Sequence, residues 1–374
     1  MAGIYIHIPF CKKACHYCNF HFSTTGNNMP GMVQAIIQEA GIRRDYITES
    51  ISTIYIGGGT PSLLQVDDCG LMIEAMRRLF AVEGGAEITL ETNPDDITAE
   101  KLAAWKGIGI NRLSIGIQSF IEEDLQWMNR AHNAKQALQS IQLAQQAGFN
   151  NITIDLIYGT PTLSDEQWQQ NVQTAIALNI PHLSCYALTV EPKTALDKMI
   201  AAHKIANVDP EKQGRQFELL MHWLAGAGYQ HYEISNFAKP GMRSRHNSSY
   251  WQGKQYMGLG PSAHSFNGSS RQWNIANNAL YIKGIEQNIV PFEIEHLTPV
   301  QQLNEYIMTS LRTLEGLSLQ QVQQLSTANQ TAQLIHEAAI FIAEGKMVAQ
   351  NNHLILTNKG RLFADGIAAS LFRD

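Results

Sequence analysis

The sequence has few cysteines, no excess of basic residues and no long apolar run, and each of these absences excludes a class of protein. Its 374 residues include 5 cysteines, an odd and small number that does not suit a disulfide framework. The net charge of -6 makes the phosphate backbone of a nucleic acid an unfavourable partner. No run of about 18 apolar residues is present to form a membrane-spanning helix. We therefore expect neither a nucleic-acid partner nor a membrane span.

The first residues do not have the pattern of a secretory signal. The apolar run at residues 4–10 is short, contains His7 and Pro9, and has no basic region before it. We therefore expect the protein to stay in the cytoplasm, where thiols are kept reduced. A hydrophobic content of 44% excludes a largely disordered chain, and the length favours about two domains.

The first two thirds of the chain alternate between short apolar runs and longer amphipathic segments. The six candidate strands are residues 4–8, 52–56, 87–90, 112–117, 152–157 and 182–187, and the candidate helices between them are 32–47, 71–80, 99–105, 134–147 and 165–178. Strands that are apolar over most of their length indicate a parallel sheet covered on both faces. The repeated order of strand and helix predicts right-handed crossovers. We therefore predict an α/β fold in the form of a partial (β/α)6 TIM-like barrel.

The pattern changes after residue 208. The later candidates are a helix at 211–227, an extended segment at 229–237, a Gly, Ser and Asn-rich stretch at 239–270, helices at 299–314, 318–325 and 333–344, a hairpin at 347–356 and a last helix at 359–372. The tail resembles a winged-helix unit without a basic DNA-binding stripe, so we favour packing or partner binding. We predict three parts: a barrel domain over residues 1–230, a connecting segment over 231–290 and a helical C-terminal domain over 291–374.

Three of the cysteines lie within eight residues, just after the first predicted strand. Cys11, Cys15 and Cys18 can converge on one soft metal centre, because thiolates select iron–sulfur clusters, zinc or cuprous copper. A cubane cluster held by three thiolates leaves one iron open for a small chelating ligand. Zinc would need a fourth ligand, for which three histidines lie nearby in sequence. The spacing favours the cluster over zinc, and we expect Cys69 and Cys185 to be buried as small apolar residues.

Glycine and polar residues recur at the carboxyl ends of the predicted strands. They are residues 57–61, 91–94, Gln118, Asp155 and 159–161. In a barrel these ends share one rim, which is the rim where chemistry takes place. The triple glycine at 57–59 exposes backbone groups that can bind an ammonium or a carboxylate closely. It lacks the spacing and the lysine of a phosphate loop, so a nucleoside triphosphate is not expected.

These motifs together resemble a known superfamily. The Cys-x3-Cys-x2-Cys spacing after a first strand resembles that of the radical S-adenosylmethionine superfamily. Within it, five stretches resemble the oxygen-independent coproporphyrinogen III oxidase family. They are residues 5–11, 57–61, 91–94, 111–120 and 155–159, and they follow one another in the family's order.

The resemblance implies two cofactors and the residues that hold them. Cys11, Cys15 and Cys18 would bind a [4Fe–4S] cluster, and the methionine part of S-adenosylmethionine would chelate its fourth iron. The residues implied as S-adenosylmethionine contacts are Tyr5, Tyr17, Gly58, Gly59, Thr60, Glu91, Gln118, Arg130 and Asp155. Asp155 can accept hydrogen bonds from ribose hydroxyls. Arg130 as a surface ion pair and Gln118 as an ordinary strand-end residue are the simpler interpretations.

Two departures separate this chain from the oxidase and resemble the HemW-type haem chaperones instead. The oxidase has a further cysteine where this chain has Phe20, and it has an extension where this chain has ten residues before Cys11. Residues 246–251 match the His-Asn-x-x-Tyr-Trp motif of those chaperones. The resemblance implies His246 as an axial haem ligand with Tyr250 in support, since imidazole and phenolate both ligate haem iron. His264 lies nearby in sequence and competes for that role.

We therefore predict a haem chaperone that binds haem, passes it to an acceptor such as a respiratory haem protein, and carries the cluster and S-adenosylmethionine. We also consider that the protein forms a homodimer and that it contacts a membrane peripherally. One alternative is the oxygen-independent coproporphyrinogen III dehydrogenase, because a pure carrier has no obvious need for a cofactor pocket. The other alternative is a zinc-stabilised interaction module with structural cysteines.

Overall fold

A twelve-stranded sheet forms the centre of the protein, and its six middle strands are parallel and in sequence order. The computed structural model describes residues 1–26 and 28–373. The parallel strands are β1 (Ala2–Ile8), β2 (Ile51–Gly58), β3 (Val82–Thr92), β4 (Arg112–Gln118), β5 (Ile152–Tyr158) and β6 (His182–Ala187). All six predicted strands are present, so the predicted α/β fold with a parallel sheet is confirmed.

Helices connect these strands and cover the sheet. They are α1 (Met29–Ile42), α2 (Val66–Leu79), α3 (Ala99–Gly107), α4 (Glu122–Trp127), α5 (Ala134–Gln146) and α6 (Asp165–Ala177). Asn133 and Ser164 begin α5 and α6 with capping boxes, in which side chains satisfy the first free N–H groups. Helix α1 ends five residues before its predicted end, because the backbone leaves helical geometry at Arg43, with φ -101° and ψ 19°.

The part of the chain after β6 extends the sheet at both edges. It contains α7 (Ala195–Ala201), α8 (Pro210–Gly226), β7 (Gln230–Glu233), β8 (Asn236–Ala238), α9 (Arg245–Trp251), β9 (Tyr256–Leu259), β10 (His264–Phe266), β11 (Ser270–Asn274), α10 (Asn278–Glu286) and β12 (Phe292–His296). Strand β8 pairs with β6, whereas β9 pairs in parallel with β1 and leads to β10, β11 and β12. The sequence pattern missed the strands from β9 to β12, because runs of three to five residues are too short for a clear alternation.

A helical unit with its own small core completes the fold. It contains α11 (Pro299–Leu311), β13 (Leu317–Ser318), α12 (Leu319–Leu325), α13 (Ala328–Ala343), β14 (Met347–Gln350), β15 (His353–Leu356), α14 (Asn358–Arg361) and α15 (Ala364–Ser370). The predicted order of helices followed by a hairpin is confirmed. The single last helix predicted at 359–372 is wrong: it is two helices, because Phe363 leaves helical geometry at φ -122° and ψ 19°.

The two cysteines outside the loop are buried. Cys69 and Cys185 are 0% and 1% exposed, as predicted for small apolar side chains. Within residues 1–26 and 28–373, no helix combines the length and apolar character that crossing a membrane requires.

Candidate functional site

The cysteine loop is attached to the triple-glycine turn by backbone hydrogen bonds. Strands β1 and β2 pair so that Ile8 lies opposite Gly58, which brings the two strand ends to the same edge of the sheet. The Gly59 N–H donates to the Ile8 carbonyl over 2.8 Å, and the Thr60 N–H donates to the Phe10 carbonyl over 2.6 Å. A Cβ atom on Gly59 would lie 2.6 Å from the Phe10 oxygen, so only glycine permits this approach.

All three cysteines of the loop line one cavity of about 520 Å³, together with the glycine turn. None of them forms a disulfide. Burial raises the pKa of Cys11, and it raises the pKa of Cys18 to about 11, so a metal would have to displace protons from these thiols. In the part of the chain that the structure describes, no three His, Cys, Asp or Glu side chains converge tightly enough to enclose a single ion.

Arg130 is a partly buried cation beside the cysteines and not a surface ion pair. Its Nη1 donates to the sulfur of Cys15 over 3.2 Å, and its Nη2 donates to Asn93 Oδ1 and to the Gly116 carbonyl, each over 2.8 Å. The hydroxyl of Tyr17 lies 3.5 Å from Nη1. The guanidinium therefore joins the cysteine loop to Asn93, which follows β3, and to Gly116 on β4.

Two carboxyl groups that form no salt bridge with any described residue line the same cavity. Glu91 accepts hydrogen bonds from the Tyr55 hydroxyl over 2.7 Å and from the Gly58 N–H over 3.0 Å. Burial raises the pKa of Glu91 to about 7, and burial together with the charge of Glu91 raises the pKa of Asp155 to about 7. A ligand with positive groups and hydroxyls would satisfy both carboxylates. The residues present therefore fit the sulfonium, ammonium and ribose groups of S-adenosylmethionine.

Gln118 reaches the cavity through an irregular backbone. The β4–β5 pairing shifts register between Ile115 and Gln118, and Gln118 itself has a φ of 66°. Such a bulge re-aims a side chain at the end of a strand. A Cβ atom on Gly116 would lie 3.1 Å from Gln118 Nε2 and 3.2 Å from Arg130 Nη2, so glycine there makes room for both side chains.

The structure brings together eleven of the twelve residues predicted for the cluster and S-adenosylmethionine. Those that line the cavity are Cys11, Cys15, Tyr17, Cys18, Gly58, Gly59, Thr60, Glu91, Gln118, Arg130 and Asp155. Tyr5 lines a neighbouring cavity instead. Sequence reasoning missed Asn93, which holds both Arg130 and Thr60, and Tyr186, which lines the cavity at the end of β6. Their position directly after or at the end of a parallel strand was the signal available for finding them.

The neighbouring cavity has a volume of about 1090 Å³ and lies between the β9–β11 edge and helices α11 and α12. Its lining includes the aromatic residues Phe20, Tyr250, Trp251, Tyr256 and Phe266. Phe20 is 66% exposed and lines both cavities, so the two are adjacent.

His246 lies beneath this second cavity and does not line it. It is 1% exposed, with Nδ1 hydrogen-bonded to Thr53 Oγ1 and Nε2 to the Tyr250 hydroxyl, each over 2.8 Å. Its ring stacks on Tyr55 with centroids 4.9 Å apart. Burial lowers the pKa of His246 to about 3, so the imidazole is neutral. Of the two residues predicted to hold haem, the structure places Tyr250 at the cavity wall and His246 behind it.

The sequence and the fold are similar to those of known proteins. Residues 5–175 match the radical SAM superfamily, and residues 297–363 match the HemN C-terminal domain. A structure of coproporphyrinogen III oxidase (HemN) from Escherichia coli superposes with a TM-score of 0.85 at 24% identity, covering 99% of this chain and 90% of that one, which establishes the shared fold.

Curated relatives cover most of the chain. The heme chaperone HemW of Bacillus subtilis (strain 168) is 35% identical over 323 residues, which is 85% of each chain. The heme chaperone HemW of Mycobacterium tuberculosis (strain H37Rv) is 32% identical over 377 residues, covering 99% of this chain and 94% of the relative. This chain therefore belongs to the HemW family within the radical S-adenosylmethionine superfamily.

Proposed function

We propose that this protein binds haem and passes it to acceptor haem proteins, and that it carries a [4Fe–4S] cluster and S-adenosylmethionine. The observation that carries the proposal is the pair of adjacent cavities that share Phe20. One contains three cysteines, a glycine turn and two unpaired carboxyl groups. The other is wide and aromatic, with the Tyr250 and Trp251 of the chaperone motif on its wall.

In the first cavity, each group of residues has a distinct task. Cys11, Cys15 and Cys18 hold the cluster, and Arg130 positions the sulfur of Cys15 through a hydrogen bond from Nη1. The residues assigned to S-adenosylmethionine are Tyr17, Gly58, Gly59, Thr60, Glu91, Gln118 and Asp155, with Tyr5 behind Glu91. When bound, the cluster supplies an open iron and electrons. The carboxyl groups orient the cofactor by accepting hydrogen bonds from its ammonium and hydroxyl groups.

In the second cavity, the aromatic walls suit a flat macrocycle. Tyr250 lines this cavity, and its hydroxyl is hydrogen-bonded over 2.8 Å to His246, which lies behind the wall. For His246 to ligate haem iron, as the motif resemblance implies, its Nε2 must exchange Tyr250 for the iron. The ligand assignment therefore depends on which imidazole is free.

The proposal is tested on anaerobically purified full-length protein. We expect iron and sulfide in the ratio of a [4Fe–4S] cluster, saturable haem binding seen as a Soret band, and transfer of that haem to an added apo-haemoprotein such as apomyoglobin. Cys18→Ser should lose the cluster and retain haem binding. Absence of saturable haem binding by the wild-type protein would overturn the chaperone function.

A second function, the oxidative decarboxylation of coproporphyrinogen III, is favoured by the unpaired Glu91 and Asp155, which prepare a cofactor pocket. Reduced, cluster-loaded protein is incubated with coproporphyrinogen III and S-adenosylmethionine. Formation of protoporphyrinogen would establish this activity and reject a chaperone-only role. Colourless protein that contains zinc but no iron or sulfide would instead establish a zinc-stabilised module.

We further propose that the protein acts in the cytoplasm and that a respiratory haem protein is its acceptor. We propose that it works as a homodimer and that the cluster supports dimerisation. Size-exclusion chromatography with light scattering, on cluster-loaded and Cys18→Ser protein, measures the association. Equal masses for the two proteins would show that dimerisation does not depend on the cluster.

A further inference from the structure

Among the described residues that line the wide aromatic cavity, one imidazole is free to bind a metal. Two histidines line it, His7 and His264. His7 is committed to the protein, because its Nδ1 is hydrogen-bonded to the Tyr5 hydroxyl over 3.0 Å and its Nε2 to the His21 carbonyl over 2.9 Å. Within residues 1–26 and 28–373, neither ring nitrogen of His264 has a hydrogen-bond partner. His264 is also exposed, whereas His7 is 4% exposed.

We propose that His264, and not His246, provides the imidazole that ligates haem iron, within the cavity between the β9–β11 edge and helices α11 and α12. The inference rests on the proposed function, because it names the ligand for the haem that this protein is proposed to bind. His246 then acts as a positioning residue, since it holds the Tyr250 hydroxyl at the cavity wall without reaching the cavity itself.

The position of His264 is fixed by the sheet. It is the first residue of β10 and pairs with Trp273 of β11, and the two rings stack at 27° with centroids 6.1 Å apart. This stacking holds the imidazole on the cavity side of the edge strands without using either nitrogen. Partial desolvation of the ring and the nearby charge of Arg271 lower the pKa of His264, which favours the neutral form that binds iron.

The rest of the cavity matches the other parts of a haem. Its volume of about 1090 Å³ accommodates a large macrocycle, and aromatic rings supply faces for it. Trp251 lines the cavity and adds its indole ring to the apolar surface available to the macrocycle. Arg271 faces the same cavity and pairs with Glu305 over 2.8 Å, so a propionate would meet a cation there.

His246 lacks these properties. Both of its nitrogens are bonded, to Thr53 and to Tyr250, and its side chain is 1% exposed. Ligation by His246 would leave a buried hydroxyl unpaired and would require an opening through the Tyr250 side chain. Ligation by His264 requires neither change.

The test compares three histidine variants of the full-length protein: His264→Gly, His246→Gln and, as a matched control on an exposed edge strand, His296→Gly. Ferric haem is titrated and followed by the Soret band, and its coordination is read by electron paramagnetic resonance and resonance Raman spectroscopy. Cluster absorption and circular dichroism verify that each variant is folded. We expect His264→Gly to weaken haem binding by at least about tenfold, the scale on which a metal site responds to loss of supporting groups, and to lose the imidazole–iron signature.

Addition of free imidazole should restore that signature in His264→Gly, an outcome that a merely structural role would not produce. His246→Gln should keep the imidazole–iron signature and lose thermal stability, and His296→Gly should match the wild-type protein. An unchanged spectrum in His264→Gly, or loss of the signature in His246→Gln alone, overturns the ligand assignment while leaving haem binding established. A wild-type protein that does not bind haem overturns the proposed function and this inference together.

Discussion

Arg130 donates a hydrogen bond to the sulfur of Cys15 over 3.2 Å, although the two residues are 115 positions apart in the chain. The contact exists because the cysteine loop after β1 and the segment after α4 meet at the carboxyl edge of the parallel sheet. It joins the cluster-binding loop to Asn93 and Gly116, which accept from the same guanidinium group. The cation therefore contributes both to the fold of this edge and to the chemistry of the thiol.

The first prediction concerns this cation. Replacing Arg130 with Gln leaves the Asn93 and Gly116 oxygens without a charged donor, so we expect the free energy of unfolding of the cluster-free protein to fall by about 2–3 kcal/mol. We also expect less iron to be retained, since Cys15 loses the hydrogen bond from the guanidinium that positions its sulfur. Urea denaturation and iron analysis measure the two effects. Arg130→Lys should retain part of the iron, and equal iron content in both variants would contradict the role of the charge.

The second prediction concerns the pH dependence of S-adenosylmethionine binding. The pKa of Glu91 and that of Asp155 are both raised to about 7, so these groups become neutral as the pH falls through that value. A cationic ligand is attracted to the charged forms, and its affinity should therefore decrease between pH 8 and pH 6. Calorimetric titration of cluster-loaded protein measures this. The double variant Glu91→Gln, Asp155→Asn should bind more weakly and without that pH dependence.

The third prediction concerns the stability of the ligand-free fold, which responds to pH in the opposite sense. The pKa of Glu91 rises from 4.5 to about 7 on folding, so the folded state binds more protons between these values. The contribution of Glu91 to stability is therefore present below pH 4.5 and lost as the pH rises to about 7. Thermal unfolding across this range should show a smaller loss for Glu91→Gln than for the wild-type protein. An equal slope for the two proteins would show that Glu91 is not the group responsible.

The fourth prediction concerns the contact between the cysteine loop and the glycine turn. Gly59→Ala places a Cβ atom 2.6 Å from the Phe10 carbonyl and 2.9 Å from the Ile8 carbonyl, and backbone atoms cannot move aside cheaply. We expect a loss of about 1–3 kcal/mol in the free energy of unfolding and a loss of bound iron. Gly84→Ala on β3 is the matched control, because no atom lies within 4 Å of its Cβ position. Similar iron content in the two variants would show that the close approach is not required.

The fifth prediction concerns the residue between the two cavities. Phe20 is 66% exposed, so Phe20→Ala should change the free energy of unfolding by no more than about 0.5 kcal/mol. Because Phe20 lines the wide cavity, haem affinity should nevertheless fall, as measured by titration of the Soret band. Phe292→Ala, on the exposed strand β12, is the control and should bind haem normally. A normal affinity of Phe20→Ala for haem would show that haem does not contact this part of the cavity.

Local sequence was sufficient to predict the six parallel strands and five of the helices from α1 to α6, whereas the short helix α4 was not predicted. Runs such as residues 152–157 are apolar over most of their length, and helices such as α5 carry their own caps, so neighbours in sequence specify these elements. The meeting of the cysteine loop with the glycine turn was also predictable, because the carboxyl ends of parallel strands share one edge. Cys11 and Gly59 therefore lie where the sequence indicated, in the same cavity.

The environment of the histidines was not predictable in this way. The spacing of His246 and Tyr250 by four residues places them on one face of α9, but only the packing of α9 on β2 turns that face toward Thr53. The short strand β10 gave no clear pattern, so the sequence alone did not show that His264 reaches the wide cavity.

The sequence by itself determined the parallel core, the thiol triplet and the family, because these depend on periodicity and on the spacing of neighbouring residues. Only the tertiary structure decided which imidazole is buried with both nitrogens bonded and which faces the aromatic cavity. The reason is that hydrogen bonds such as that of His246 to Thr53 join residues far apart in the chain, here separated by 193 positions. Their formation depends on how strands and helices pack, and local sequence does not contain that information.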